Sequence, residues 1–282
     1  MKSNPALRYE ERGEGVPLVL LHGYPFDHTI WRQQLEGIGE GVRVLAPDLP
    51  GFGQSPPLPD AEPTMQLYAN EVALWADQLG IDRFVLAGHS MGGYIAFAFA
   101  RHHARMLAGL GLICTRPGPD TEQAREGRYA QIAQVQERGP QAVVDAMHPR
   151  LFAPQTRENN PGLLDQVREI MLRQSVPGIV SALRAMASRP DSSPLLPDIT
   201  VPTLVVSGSD DAIIPVEEVD LMAATIPGAR QERVEGAGHM PMMEQPGVLN
   251  ALLRDLARGS RSNPKPPEPP ARQDIADTRT RS

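Results

Sequence analysis

The chain has 282 residues and a single cysteine, Cys114, so no disulfide can form within it. That cysteine sits in an apolar, strand-like run, which points to a buried structural thiol rather than a reactive one. No run of about 18 apolar residues occurs, so no membrane-spanning helix is expected. The N-terminus, MKSNPALRYEERGEG, lacks the apolar centre of a signal peptide. A cytoplasmic protein with no membrane partner is the expectation. Metal and nucleotide signatures are missing too: there is no H-E-x-x-H, no C-x-x-C, no P-loop and no dinucleotide glycine fingerprint. His102 and His103 are adjacent on a helical pattern, diverge, and make a poor metal pair. Neither metal nor cofactor is expected. Basic charge is also short. Lys and Arg number 27 against 34 Asp and Glu, for a net charge of −7, which argues against nucleic acid or an anionic membrane as partner. No internal repeat is visible, and oligomeric state is not encoded in any motif.

What is present is an alternation of short apolar runs with helix-period segments. Hydrophobic residues make up 41% of the chain, enough for one large domain with a buried core. Strands are predicted at about 6–11, 17–22, 42–46, 84–88, 107–113, 203–207 and 230–234. The run Pro17-Leu18-Val19-Leu20-Leu21 is continuously apolar, as a strand buried on both faces must be. Helices are predicted at about 28–39, from an N-cap at Thr64, after Ser90, at 216–225 and at 246–257. Strand–helix alternation of this kind implies an α/β fold, with a mostly parallel central sheet covered by helices on both faces. Between 116 and 197 the alternation stops. Four helical patterns, at about 121–138, 140–147, 161–174 and 176–189, are separated or flanked by prolines. They read as a helical cap inserted into a core formed by 1–115 and 198–258. Residues 259–282 hold five prolines and almost no large apolar side chain, and are expected to be a disordered tail.

The centre of the pattern is FVLAGHSMGGY, residues 84–94. An apolar strand runs into Gly88-His89-Ser90-Met91-Gly92 and then into an apolar helical stretch. G-x-S-x-G between strand and helix is a nucleophile elbow: its glycines let strand and helix approach while the serine is pushed out at the apex. A serine alcohol is a weak nucleophile and needs a base within hydrogen-bond reach, oriented by a carboxylate. Among seven histidines, His239 stands out in Gly236-Ala237-Gly238-His239, a loop between a late strand and a helix. His22 and His89, in tight turns, are expected to be structural, and His148 to lie on the surface of the cap. The acid candidates are Asp210 and Asp211, which leave the C-terminal end of the strand at 203–207, the side on which open α/β sheets bind ligands. Backbone N–H groups of Met91 and Tyr24 are placed to form an oxyanion hole.

Five stretches, LLHGYPFDHTIW, APDLPGFGQS, GHSMGG, GSDDAIIP and GAGHMPMMEQP, occur in order over nearly the whole body of the chain. Together they resemble the α/β-hydrolase fold family, in particular its serine esterase and enol-lactonase-like members. The resemblance selects Asp211, followed three residues later by Ile214 and then Pro215, over Asp210. It implies Ser90 as nucleophile, His239 as base, Tyr24 and Met91 as oxyanion donors, and a hydrogen-bonding role for Glu244. The implied activity is hydrolysis of a small-molecule carboxylic ester or lactone through an acyl-enzyme, without a cofactor. C–C bond hydrolysis, thioester hydrolysis and perhydrolysis would use the same triad, and a catalytically silent binding scaffold is the remaining alternative. A substrate pocket between cap and sheet is expected to use Phe26, Leu151, Phe152, Met171, Ile179 and Met240.

Overall fold

The computed structural model describes residues 7–58 and 62–262. Its elements, in chain order, are β1 (Tyr9–Arg12), β2 (Val16–Leu21), α1 (Arg32–Gly37), β3 (Val42–Pro47), α2 (Met65–Gln78), β4 (Phe84–His89), α3 (Met91–His102) and β5 (Leu107–Ile113). Then come α4 (Glu122–Arg138), α5 (Gln141–Met147), α6 (Pro154–Asn159), α7 (Pro161–Leu172) and α8 (Val176–Ala187). The chain closes with β6 (Thr203–Gly208), α9 (Val216–Thr225), β7 (Arg230–Val234), α10 (Pro241–Glu244) and α11 (Pro246–Gly259).

The seven strands form one sheet in the order β1-β3-β2-β4-β5-β6-β7. Only β1 runs antiparallel, at the edge, paired with β3. The central strands β4 and β5 are buried along their whole length, which is why their sequences show no polar alternation. Helices pack on both faces. Thr64 caps α2 as its sequence suggests, its Oγ1 accepting from the Leu67 N–H at 3.2 Å, and the face bearing Tyr68, Val72 and Trp75 is buried.

Between β5 and β6 the described chain adds five α-helices, α4 to α8, and no strand. Four of these match the expected patterns. The fifth, α6, starts at Pro154, which reads in the sequence as a separator. Proline at the first helical position starts a helix as readily as it ends one, because its missing N–H has no partner there anyway. The same holds for α10, which starts at Pro241. One seam ties this insertion to the loops after β2 and β3. Arg173 donates to both Asp27 carboxylate oxygens at 2.8 Å, and Gln174 Nε2 donates to Asp27 Oδ2 at 2.8 Å. The Gly53 N–H in turn donates to Gln174 Oε1 at 3.0 Å.

The C-terminal boundary shifts. Helix α11 continues to Gly259 and a 3-10 turn covers Ser260–Ser262, so the expected tail cannot begin at 259. Ser260 Oγ donates to the Leu256 carbonyl at 2.8 Å and lies where a Cβ on Gly109 would stand only 2.4 Å away. That contact holds the last turn against β5. Residues 263–282 of the expected tail lie outside the described residues.

Candidate active site

Ser90 is the hinge between β4 and α3, and its backbone is strained: φ is +51° and ψ −113°. A non-glycine residue there costs roughly 1–3 kcal/mol and persists only where its surroundings impose it. Here the surroundings are two close backbone approaches. A Cβ on Gly88 would come within 2.2 Å of the Gly92 carbonyl oxygen, and one on Gly92 within 2.5 Å of the Leu21 carbonyl oxygen. Only glycine lets the first turn of α3 sit against β4 and the end of β2. The turn is pinned further. The Ser90 N–H donates to the Ile113 carbonyl at 2.9 Å, and Thr115 Oγ1 donates to the Ser90 carbonyl at 2.9 Å. Ser90 itself is half-buried.

The loops after β6 and β7 bring Asp211 and His239 together. His239 Nδ1 and Asp211 Oδ2 are 2.9 Å apart, and both side chains are almost fully buried. Asp211 Oδ1 accepts from the Ile213 and Ile214 N–H groups at 2.8 and 3.1 Å. Burial pushes the Asp211 carboxyl up, but the His239 imidazole and the two backbone N–H groups outweigh it and hold it below the usual value. An ionised Asp211 makes Nδ1 of His239 the donor and leaves Nε2 as the acceptor. Asp210 points elsewhere: its Oδ2 accepts from Ser209 Oγ at 2.7 Å at the surface. His89, the neighbour of Ser90 in the chain, ties His239 to the elbow. Its Nε2 donates to the His239 carbonyl at 2.8 Å, and the two rings lie 4.8 Å apart. Burial, reinforced by the nearby His239, keeps the His89 imidazole neutral well below its ordinary pKa.

Glu244 is the brace of the His239 loop. Oε1 accepts from the Gly238 and Met240 N–H groups at 2.8 and 3.3 Å, on either side of His239. Oε2 accepts from the Ala153 N–H at 2.9 Å and from Thr156 Oγ1 at 2.7 Å, at the start of α6. The segment before α6 adds two more ties: the His239 N–H donates to the Leu151 carbonyl at 2.8 Å, and Arg150 donates to the Ala212 carbonyl at 2.6 Å. The segment before α6 and the start of that helix, which the sequence does not announce, thus brace the loops that carry Asp211 and His239. A second unforeseen neighbour is Cys114. It is fully buried, has φ of +46°, and its Sγ converges with one ligand atom each of Asp211 and His239 within 4.8 Å. Burial and then the Asp211 charge push its thiol well up, which keeps it protonated.

On the other side of Ser90 lies the loop His22-Gly23-Tyr24. His22 fastens it to the loop after β3, accepting from the Leu49 N–H at Nε2 (2.9 Å) and donating from Nδ1 to the Gly23 carbonyl (2.9 Å). A Cβ on Gly23 would meet the His89 ring at 2.6 Å, so this loop is pressed against the elbow. His148, expected at the surface, donates from Nε2 to the Leu164 carbonyl at 2.8 Å within the insertion. The six apolar residues expected to line a pocket are placed differently. Phe26, Leu151, Met171, Ile179 and Met240 have no exposed surface, and Phe152 keeps 3%. Five of them are thus packed out of reach of water in this structure, and Phe152 keeps a small exposed edge. A groove of about 170 Å³ lies instead between α2, α3 and the segment after α8, bordered by Met65, Tyr94, Phe97 and Arg189. No helix among the described residues is long and apolar enough to cross a membrane.

A model of the alpha/beta hydrolase family matches residues 18–252. Among solved structures, a thermophilic esterase from Thermogutta terrifontis superposes with a TM-score of 0.87 at 41% identity, covering 90% of this chain and 93% of its own. The enol-lactonase from Burkholderia xenovorans LB400 superposes with a TM-score of 0.81 at 28% identity, covering 89% and 96%. A putative non-heme haloperoxidase of Mycobacterium phage D29 is 32% identical over 248 residues, covering 86% of this chain and 87% of the relative. The ordered elbow, acid and base stretches lie inside the matched span, and the chain belongs to the α/β-hydrolase family.

Proposed function

We propose that this protein is a serine hydrolase that cleaves a carboxylic ester or lactone of a small molecule through an acyl-enzyme on Ser90. The observation that carries the reading is the buried Asp211–His239 pair, tied through His89 to a serine held at φ +51°. Asp211 keeps the Nδ1–H tautomer of His239 and stabilises the imidazolium once it forms. His239 Nε2 takes the Ser90 proton as Oγ attacks the carbonyl carbon. The Tyr24 and Met91 N–H groups stabilise the oxyanion of the tetrahedral intermediate. The intermediate collapses with loss of the alcohol, which takes its proton from His239. Water then adds to the acyl-enzyme, giving its proton to His239, and the acid is released as Ser90 is regenerated. The names of the esterase and the enol-lactonase among the structural neighbours support this substrate class.

The test is intact mass after reaction with a fluorophosphonate. One adduct on the wild-type protein and none on Ser90→Ala is the expected result. A folded wild-type protein that takes no adduct, or a Ser90→Ala protein labelled as fast as wild type, would overturn the reading.

A further inference from the structure

Among the described residues two combine a side chain with a positive φ: Ser90, the proposed nucleophile, at +51°, and Cys114 at +46°. Cys114 directly follows β5, and the residues on either side of it hold Ser90. The Ile113 carbonyl accepts from the Ser90 N–H, and Thr115 Oγ1 donates to the Ser90 carbonyl, both at 2.9 Å. Cys114 itself reaches the Asp211–His239 pair. Its N–H donates to the Val206 carbonyl of β6 at 2.8 Å, and its Sγ lies within 4.8 Å of an Asp211 carboxylate oxygen and of a His239 ring nitrogen. Three successive residues thus touch Ser90, then the pair, then Ser90 again.

Glycine adopts such a φ without strain, whereas a residue with a Cβ does not, and outliers of this kind collect at active sites. A buried cysteine is ordinarily a small apolar filler. Cys114 differs in its polar surroundings: the Gly208 N–H and the Asp211 carboxylate both reach its sulfur. Fully buried beside that carboxylate, the thiol keeps its proton. Between an N–H and a carboxylate, an S–H has only the carboxylate to donate to. An ionised carboxylate offers about four lone-pair positions, and three on Asp211 are taken by the Ile213 N–H, the Ile214 N–H and His239 Nδ1. We propose that Cys114 is a positioning residue of the Asp211–His239 pair: its thiol donates into the fourth place on the carboxylate, fixes it against His239 Nδ1, and moderates the charge it presents to the imidazole. The inference rests on the reading of Asp211 and His239 as the acid and base that activate Ser90.

The experiment records kcat and KM for p-nitrophenyl acetate across the acid limb of the pH profile, in wild type and in Cys114→Ala, Cys114→Ser and Cys114→Gly. A carboxylate that loses a donor holds the imidazolium more strongly. Cys114→Ala should therefore move the acid limb upward by about 0.3–1 pH unit and lower the plateau about 3–10-fold, through kcat rather than KM. Cys114→Ser keeps a donor in the same place and should bring the limb back to within about 0.2 unit of wild type. Cys114→Gly relieves the backbone but has no donor, and should shift the limb as alanine does; it carries the comparison if the alanine protein does not fold. NMR titration of the His239 ring, assigned by its absence from His239→Gln, reads the same shift without turnover. An acid limb and a His239 titration that alanine and glycine leave in place, or a serine variant shifted as far as alanine, would overturn the role of Cys114 while leaving the serine hydrolase intact. If wild type cleaves no ester and takes no fluorophosphonate, the hydrolase reading fails, and the His239 titration alone decides whether Cys114 acts on the pair.

Discussion

Two groups of charged side chains join the helical insertion to the rest of the molecule, and they are balanced in opposite senses. At one seam Asp27 and Asp48 meet Arg173 and His28. Asp27 receives Arg173, Gln174, and the N–H and hydroxyl of Thr29. Asp48 receives the N–H and ring of His28 and the Gln54 N–H. Every carboxylate oxygen there has a donor, and negative charge is in slight excess. At the other seam Asp120 is shared by Arg116, Arg128 and Arg189, and positive charge is in excess. The buried Nε of Arg116 is left without an acceptor. Both seams are Asp–Arg contacts of similar burial, so composition alone does not separate them. The charge balance does: at the first seam the carboxylates outnumber the guanidinium groups, and at the second the guanidinium groups outnumber the carboxylates.

The largest expected effect tests whether the seams frame a working site. Ser90→Ala or His239→Ala should lower kcat on a neutral methyl ester by about 10⁴–10⁶-fold, and Asp211→Asn by about 10⁴-fold. Steady-state rates with urea midpoints beside them would separate lost chemistry from lost folding. Retention of wild-type rates by any of the three would remove that residue from the mechanism. The next effect compares the seams directly. Arg173→Gln strips the one cation from Asp27, whose side chain is 2% exposed, and should cost about 2–4 kcal/mol in urea unfolding. Arg128→Gln leaves Asp120 with two guanidinium groups and should cost less than about 1 kcal/mol. Equal losses would mean that both seams serve only to hold the fold. Between these lies Glu244→Ala. It frees the buried N–H groups of Gly238 and Ala153 and should slow ester cleavage and lower stability by about 2–3 kcal/mol together.

The sheet and the elbow were legible because their signals are local. β5 spans Leu107–Ile113 as its apolar run predicts, and the glycines of GHSMGG report the close packing that strains Ser90. The meeting of Asp211 with His239 follows from their positions after late strands, though preferring Asp211 to Asp210 needed the family resemblance. The interactions that cross between distant segments were not legible. Nothing in the chain near Glu244 announces that its second oxygen binds Ala153 and Thr156, about ninety positions away. Arg128 looks like any solvated residue of a polar helix, since α4 has few apolar residues to fix its inner face. Its contacts come from Asp120 and Met186, which reach it from two other segments. The burial of the residues expected to line a pocket has a related reason. An apolar stripe identifies side chains that leave water, and it does not say whether they leave it for a neighbour or for a ligand.

The smallest expected effect follows from the balanced seam and has a defined sign. Burial lowers the pKa of His28, but the hydrogen bond and charge of Asp48 outweigh it and raise the value above normal. A group raised in the folded state binds its proton more tightly there than in the unfolded chain, whose value is about 6.5. Its contribution is therefore complete below about pH 6.5 and is lost as pH rises through the folded value. The carboxylates act the other way. Burial pushes Asp27 and Asp48 up, while Arg173 and Thr29 around the first and His28 around the second hold them below the usual range. Their contribution is present above about pH 4 and is lost as pH falls through their folded values. The seam is thus tightest between about pH 4 and 6.5. His28→Asn should flatten the alkaline side, removing about 0.5–1 kcal/mol of the stability difference between pH 6 and pH 8. Urea midpoints of wild type and variant across that interval would show it. An equal slope in the two proteins would mean that His28 stays neutral and that the seam holds on Arg173 alone.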